Sequence, residues 1–282
     1  MDGRPEGGGT RRVTGYRSGH GFSIAEKAGG AALLAALLLG LVATPPIAAL
    51  PLGLFLLASL GAPFLPRWSF FLTVISRGKP GVDGIALTFD DGPFPASTPA
   101  LLELLAKYNL PATFFVIGKH AAAHPELIAA ILAHGHTIGN HSSNHDNLLM
   151  LRSCKVLHEE IRATQEILGK AGIRPLVFRP PIGITSPRLR PVLASLGLRA
   201  VTFSCRIFDR GNKNVRNLAS RVLRRLQPGD ILLLHESPPQ SEEATVYWYN
   251  ELNSLFATLH QLDRVVPLAT LIDQPTMVSL EK

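Results

Sequence analysis

The sequence predicts an α/β domain whose parallel strands close, or nearly close, into a barrel, preceded by an N-terminal transmembrane segment. Three observations carry this reading. Seven short β-rich runs alternate with longer helical stretches beyond residue 84, and such alternation implies a parallel sheet. From Ala28 to Leu65 the chain holds no charged residue, a run longer than the roughly 20 apolar residues that cross a bilayer. Hydrophobic residues make up 46% of the 282 and charged residues 17%, enough for one large core with an appendage.

Taken in order, residues 1–27 are rich in Gly and Arg and read as a disordered basic N-terminus. Residues 28–66 read as a hydrophobic membrane anchor. Pro45 and Pro46 interrupt it, so it is one kinked span or a tight helical hairpin. Lys27 before an apolar run has the look of a signal peptide, but no small-x-small cleavage site follows and a second apolar stretch comes at once. An uncleaved anchor fits better. Basic residues flank it on both sides, Arg11, Arg12, Arg17 and Lys27 before and Arg67, Arg77 and Lys79 after, so the positive-inside rule selects no orientation.

Residues 67–84 read as a linker, ending in the basic stretch "RGKPGVDG", and 85–282 as the catalytic domain. Within it the predicted strands are Ile85–Phe89, Thr113–Ile117, Thr137–Gly139, Leu176–Phe178, Ala200–Phe203, Ile231–Leu234 and Arg264–Val266. The predicted helices are Pro99–Tyr108, Pro125–His134, Leu148–Ala171, Pro187–Leu196, Val215–Leu226 and Tyr247–Leu262. Several open on a Ser/Thr cap or an early Pro, as helix starts do.

The formal net charge is +7. No nucleic-acid motif accompanies it and few aromatics interleave with the basic residues, so nucleic acid is not an expected partner. An anionic membrane surface or a phosphorylated substrate suits the surplus better. Cys154 and Cys205 are far apart and in no metal-like spacing, which argues against a disulfide framework.

In a parallel barrel, catalytic side chains sit at the C-terminal ends of strands. Asp90 and Asp91 end the first predicted strand, His141 and His145 follow the third, Arg179 ends the fourth, Asp209 lies past the fifth and His235 ends the sixth. Each alone reads as a turn, a loop ion pair or a structural histidine. Five strands delivering titratable groups to one end read as a site. His141 and His145, four residues apart, can aim both imidazoles at one point, and a carboxylate beside them completes a two-His, one-carboxylate metal set of the kind that holds zinc or iron. The other acid is then free to take a proton from water that the metal activates. Arg179 can keep that carboxylate ionised, and His235 can protonate a leaving amine. The remaining histidines, His120, His124, His134, His136, His158 and His260, read as structural or solvated.

The order of these motifs resembles the NodB-homology polysaccharide deacetylases, carbohydrate esterase family 4, over about Gly81 to Leu271. "TFDDGP" (Thr88 to Pro93), "HSSNH" (His141 to His145), "RPPI" from Arg179 and "LLLH" ending at His235 carry the resemblance. It implies a distorted (β/α)7 barrel, with Asp90 as catalytic base and Asp91, His141 and His145 as ligands of one divalent metal, Zn2+ with Co2+ and Ni2+ as alternatives. It implies Arg179 as the residue orienting the base, His235 as the general acid and Asp209 as the acid that tunes it. Two positions depart from the family pattern. Ile182 replaces the aromatic after the two prolines, where the backbone N–H helps bind the oxyanion. Arg206 and Arg210 replace the first acid and the Trp of the fourth motif.

Ten basic residues and one acid lie between Arg188 and Arg225. Part of this surplus reads as a solvated helix face, since Arg221, Arg224 and Arg225 fall at helical spacing. Arg206 and Arg210, expected near the mouth of the site, read either as part of a basic outer face or as contacts to phosphate on a lipid-linked or otherwise anionic sugar at a membrane surface. The expected function is a membrane-anchored, metal-dependent hydrolase, at a bacterial-type inner or cell membrane, removing an N-acyl group, N-acetyl first, from an amino-sugar polysaccharide or lipid-linked glycan. The alternatives are a deformylase of a lipid-linked amino sugar and an inactive, membrane-tethered carbohydrate-binding protein.

Overall fold

The computed structural model describes residues 21–207, 209 and 211–280. In chain order its strands are β1 (Val74–Ile75), β2 (Ala86–Asp90), β3 (Ala112–Val116), β4 (Thr137–Asn140), β5 (Ile173–Pro175), β6 (Val177–Phe178), β7 (Arg199–Val201), β8 (Cys205–Arg206), β9 (Ile231–His235) and β10 (Met277–Ser279). The α-helices are α1 (Ile24–Gly40), α2 (Pro45–Gly61), α3 (Thr98–Lys107), α4 (Gly118–Ala123), α5 (Pro125–Ala133), α6 (Cys154–Lys170), α7 (Leu189–Leu196), α8 (Leu218–Leu223), α9 (Glu242–Leu262) and α10 (Leu268–Ile272).

Among the described residues, eight strands form one parallel sheet in the order β1-β7-β6-β4-β3-β2-β9-β8. The sheet curls until the chain itself joins its edges. Thr202 N–H donates to Ile75 O at 2.8 Å, and Ser204 N–H donates to Ile231 O at 3.1 Å, so residues 202–204 cross from the β1 edge to β9. This is the nearly closed parallel sheet that the alternating pattern implied, with eight strands among the described residues where seven were expected.

The central strands are buried on both faces, which is why β2, β3 and β9 read as nearly continuous apolar runs. Outside the barrel, Phe89 and Phe114 stack at 5.2 Å and pack with Phe256, Leu255 and Trp248 of α9. Inside it, Ala86, Phe115, Val177, Val201 and Ile231 fill the lumen, closed below by Leu268, Leu271 and Ile272 of α10. The lumen is thus a packed floor, and chemistry is confined to the rim at the strands' C-terminal ends. Cys154 and Cys205 are free thiols.

Three sequence expectations change. Residues 67–84 are not simply a linker: Phe70, Phe71, Leu72 and Val74 are buried, and β1 pairs with β7. The basic Gly/Pro-rich stretch covers only the second half of that segment, and "SFFLTV" before it belongs to the core. Arg264–Val266 is not a full strand but a single bridge from Val265 to Ile85, because Pro267 follows and starts α10. The two- and three-residue strands β1, β5, β8 and β10 are too short to show a period in sequence.

The apolar N-terminal region folds as a hairpin of α1 and α2, with an added Cβ on Gly29 lying 3.0 Å from the Phe55 ring. A capping box starts α1, with Glu26 N–H donating to Ser23 Oγ at 3.1 Å, so the helix begins inside 1–27. The rest of that basic stretch, residues 1–20, lies outside the described residues. Among the described residues one helical stretch, Pro45–Phe64, is long and apolar enough to cross a membrane, with mean hydropathy 2.0. The hairpin's base touches the barrel: Ala25 N–H donates to Phe70 O at 2.8 Å, and Arg190 Nη1 pairs with Glu26 Oε2 at 2.7 Å.

Candidate active site

Parallel pairing of β2 with β9 sets Asp90 directly opposite His235 at the rim. Asp90 is 4% exposed, and the fully buried Arg179 donates from Nη1 to its Oδ1 at 2.6 Å. The same guanidinium donates to Thr88 Oγ1 at 2.8 Å and to Thr202 O at 3.0 Å, and lies 3.9 Å above the Phe115 ring. One arginine therefore ties β2, β6 and the 202–204 crossing to the carboxylate. Burial pushes its guanidinium below the ordinary value, while Asp90 pulls it back up.

The chain turns sharply after Asp90. Asp91 has φ 79°, a left-handed conformation uncommon for a residue with a Cβ. It swings the second carboxylate away from Arg179 toward the histidines. Gly92 must follow, because a Cβ there would overlap the Glu236 carboxylate.

His141 and His145 come from the loop after β4. Asn140 holds that loop by donating to Ile161 O at 2.9 Å and accepting from Ser142 N–H at 2.9 Å. His145 lies in left-handed backbone, φ 54°, with its N–H on Ser142 Oγ at 3.1 Å. His141 Nδ1 lies 2.7 Å from Arg179 O, and since a carbonyl only accepts, that nitrogen carries the proton. Its Nε2 therefore faces the acids, 3.6 Å from Asp91 Oδ1 and 3.8 Å from Asp90 Oδ2. His145 Nε2 lies 3.3 Å from Asp91 Oδ1.

These distances exceed the ~2.7–2.9 Å of a charge-assisted hydrogen bond. Two imidazole nitrogens and one carboxylate oxygen, all within 4.8 Å of one another, converge on one point. Such a cluster favours positive charge. Burial opposes a cation at His141, yet Asp90 and Asp91 outweigh it and raise its pKa. His145 moves the other way, lowered by burial and by the charge of His141, so it keeps a neutral ring with a free lone pair. Burial would raise the Asp91 carboxyl, but His141, 3.6 Å away, and then the fields of His235 and His145 hold it well below the carboxylate range. An ionised acid, a neutral imidazole and a proton-fixed second imidazole are what a two-His, one-carboxylate metal centre requires. The residues fit the group.

Across the rim, His235 Nδ1 lies 2.8 Å from the carboxylate of Asp209, which is 1% exposed. Burial disfavours the His235 cation, but the hydrogen bond and charge of Asp209, then Asp91 and Asp90, prevail and raise its pKa. Asn212 Nδ2 donates to the carbonyls of His235 at 2.8 Å and Ser237 at 2.7 Å, fixing the end of β9.

Ile182 is 48% exposed with φ 52°, and its N–H has no hydrogen bond among the described residues. Arg206, on β8, holds its guanidinium 5.2 Å from the Phe203 ring, which in turn flanks Gly183. Arg210 lies outside the described residues. The structure thus brings Asp90, Asp91, His141, His145, Arg179, Asp209 and His235 to one rim, and Ile182 follows Arg179 by three residues.

Sequence reading missed several supporting residues. His120 Nδ1 bonds the Asp91 carbonyl at 2.9 Å. Ser237 Oγ donates to Asp91 Oδ2 at 3.3 Å. Glu236, fully buried, sits under Gly92 and accepts from Thr98 Oγ1. Burial pushes its carboxyl up to about 8, although the Thr98 hydrogen bond opposes the rise. Only Glu236 and Ser237 offered a signal, as the first and second residues after a rim histidine.

Residues 77–201 match the polysaccharide deacetylase family model. The chain is similar to a chitooligosaccharide deacetylase from Sinorhizobium fredii, 34% identical over 200 residues, covering 70% of this chain and 90% of that one. A peptidoglycan-N-acetylglucosamine deacetylase from Bacillus cereus is 36% identical over 154 residues, covering 54% and 72%. The solved structure of the peptidoglycan deacetylase PdaC from Bacillus subtilis superposes with TM-score 0.60 and 31% identity over 68% of this chain and 91% of that one.

Proposed function

Because the chain belongs to the polysaccharide deacetylase family and is a hydrolase of linear amide bonds, we propose that it removes the N-acetyl group from an amino sugar of a membrane-presented glycan. The observation that carries this reading is the pairing of two separate carboxylates at one rim. Asp90 is locked to Arg179 at 2.6 Å, and Asp91 faces two imidazoles within 4.8 Å. Asp91, His141 and His145 would hold one divalent cation, Zn2+ with Co2+ and Ni2+ as alternatives, since borderline imidazole nitrogens with one carboxylate suit such cations. When bound, the cation supplies a Lewis acid that polarises the acyl carbonyl and makes a nearby water more acidic.

The chain's own groups do the rest. Asp90, kept ionised and aimed by Arg179, accepts the proton of the attacking water. The Ile182 N–H donates to the carbonyl oxygen as negative charge builds on it. His235, held protonated by Asp209, gives its proton to the nitrogen as the carbon–nitrogen bond breaks. An amine and a carboxylate leave. The α1–α2 hairpin anchors the protein in the membrane and keeps this rim at the surface.

The test is release of acetate from N-acetylglucosamine oligomers by the full chain in detergent, before and after chelation and after Zn2+ is restored. Acetate release that chelator abolishes and Zn2+ rescues is expected. Release of formate alone from an N-formyl sugar would assign a deformylase, and glycan binding without any acyl release would assign a binding protein.

A further inference from the structure

At the hairpin's base a groove of about 1290 Å³ runs between the start of α1, the end of α2 and the loop leading into α7. It is larger than the ~300–1,000 Å³ typical of a drug-sized ligand site. Phe55, Leu60 and Phe64 form one wall, and Met150, Leu151 and Ile184 the other. Leu60, Phe64 and Leu151 are exposed, and so contiguous an apolar surface marks an interaction site.

Two features separate this groove from a packing gap. It is bordered by the two segments that carry rim residues: Asn147 and Leu148, two and three residues past His145, line it, and so does Ile182, three past Arg179. It also carries polar groups in search of a partner. The Ser186 hydroxyl, on a residue 5% exposed, and the Ser59 hydroxyl are buried without a hydrogen bond among the described residues, and both residues line the groove. Of the charged residues on the lining, Arg190 is paired with Glu26 at 2.7 Å, while Arg188 stands exposed beside Ser186.

We propose that the groove receives the long aliphatic chain of a lipid-linked amino sugar, with the linking phosphate at Ser186 and Arg188 and the N-acyl group at Asp90 and Asp91. The inference rests on the amide-hydrolase reading of the rim and adds the non-reacting end of the substrate. A free polysaccharide has no aliphatic part to cover these walls. The hairpin's 17-residue helices reach about 25 Å into a bilayer at ~1.5 Å per residue, which puts their base at the membrane surface. A chain rising out of the bilayer there passes between α1 and α2 and the barrel, and its phosphate meets the Arg188 guanidinium beside the unpartnered Ser186 hydroxyl.

The test uses the full chain in nanodiscs with two probes, N-acetylglucosamine linked through phosphate to farnesyl or to methyl. Gly30 lines the groove and an added side chain there meets nothing within 4 Å, so Gly30→Trp fills the groove without touching the rim. Ala194→Trp, on the opposite wall, serves if the first fails to insert. The expected result is a tenfold or greater fall in kcat/KM for the farnesyl probe with less than twofold change for the methyl probe. Equal changes for both, or none for either, would overturn the proposal. A photoreactive farnesyl phosphate gives a readout free of turnover: crosslinks at Met150, Leu151 and Ile184 support the groove, and crosslinks confined to hairpin leucines facing away from the barrel overturn it. If neither probe is hydrolysed, the amide-hydrolase reading fails while the crosslinks still decide the groove.

Discussion

Asp90 and Asp91 are chain neighbours, yet the left-handed backbone at Asp91 points their carboxylates at different partners. In the proposed mechanism this separates binding from turnover. Asp91→Ala is expected to weaken Zn2+ binding at least 100-fold by calorimetry. Asp90→Asn should keep the metal and lose roughly 10²–10⁴ in kcat, the usual worth of a positioned base. Loss of metal from both variants would show that the two acids act as one ligand set. His235 has a raised pKa because Asp209 outweighs burial. As the proposed general acid it must be protonated, so activity is expected to fall as pH rises through that pKa. Asp209→Asn removes the opposing charge and should move this alkaline limb to lower pH in a kcat profile; an unmoved limb would assign the limb to another group. These seven rim residues were legible in sequence because each sits in a short motif whose spacing is local. His120, Thr88 and Asn212 were not, since their partners Asp91, Arg179 and His235 lie 29, 91 and 23 residues away.

The join between β9, β2 and α3 depends on Glu236. Its backbone carbonyl accepts from Ser97 Oγ at 2.7 Å, and its side chain accepts from Thr98 at the start of α3. With the carboxyl raised from 4.5 to about 8 by burial, the folded chain holds a proton that the unfolded chain has released between those values. Stability from this group therefore falls as pH rises through that window, by up to ~1.4 kcal/mol per pH unit. Glu236→Gln removes the titration, so the wild-type Tm should drop relative to the variant between pH 5 and pH 8. Parallel Tm curves would refute a neutral, buried Glu236. At this level sequence periodicity located the long helices and the central strands, as with α9 and β9, because their apolar residues repeat over several turns or fill both faces. It failed for β1 and β8, where two residues carry no period and pairing alone makes the strand.

The barrel needs the chain before residue 77. Phe70, Phe71, Leu72 and Val74 are buried against Phe178, Leu157 and α7, worth about 6–12 kcal/mol together at ~1.5–3 kcal/mol each. That matches the whole stability of a typical domain. A fragment from Arg77 to Lys282 is therefore expected to show no cooperative thermal transition, whereas one from Ser69 should melt cooperatively; equal melting would place the fold boundary after β1. Sequence alone settles the class of fold, the apolar appendage and which residues gather at the rim, because alternation, hydropathy and motif spacing are local properties of the chain. Only the tertiary structure decides that β1 belongs to the sheet, that residues 202–204 join its edges, and that the hairpin's base and α7 enclose a groove opening onto Ile182. Those outcomes depend on contacts between segments more than 100 residues apart, such as Val74 with Ala200 and Glu26 with Arg190, and no local pattern encodes which distant surfaces meet.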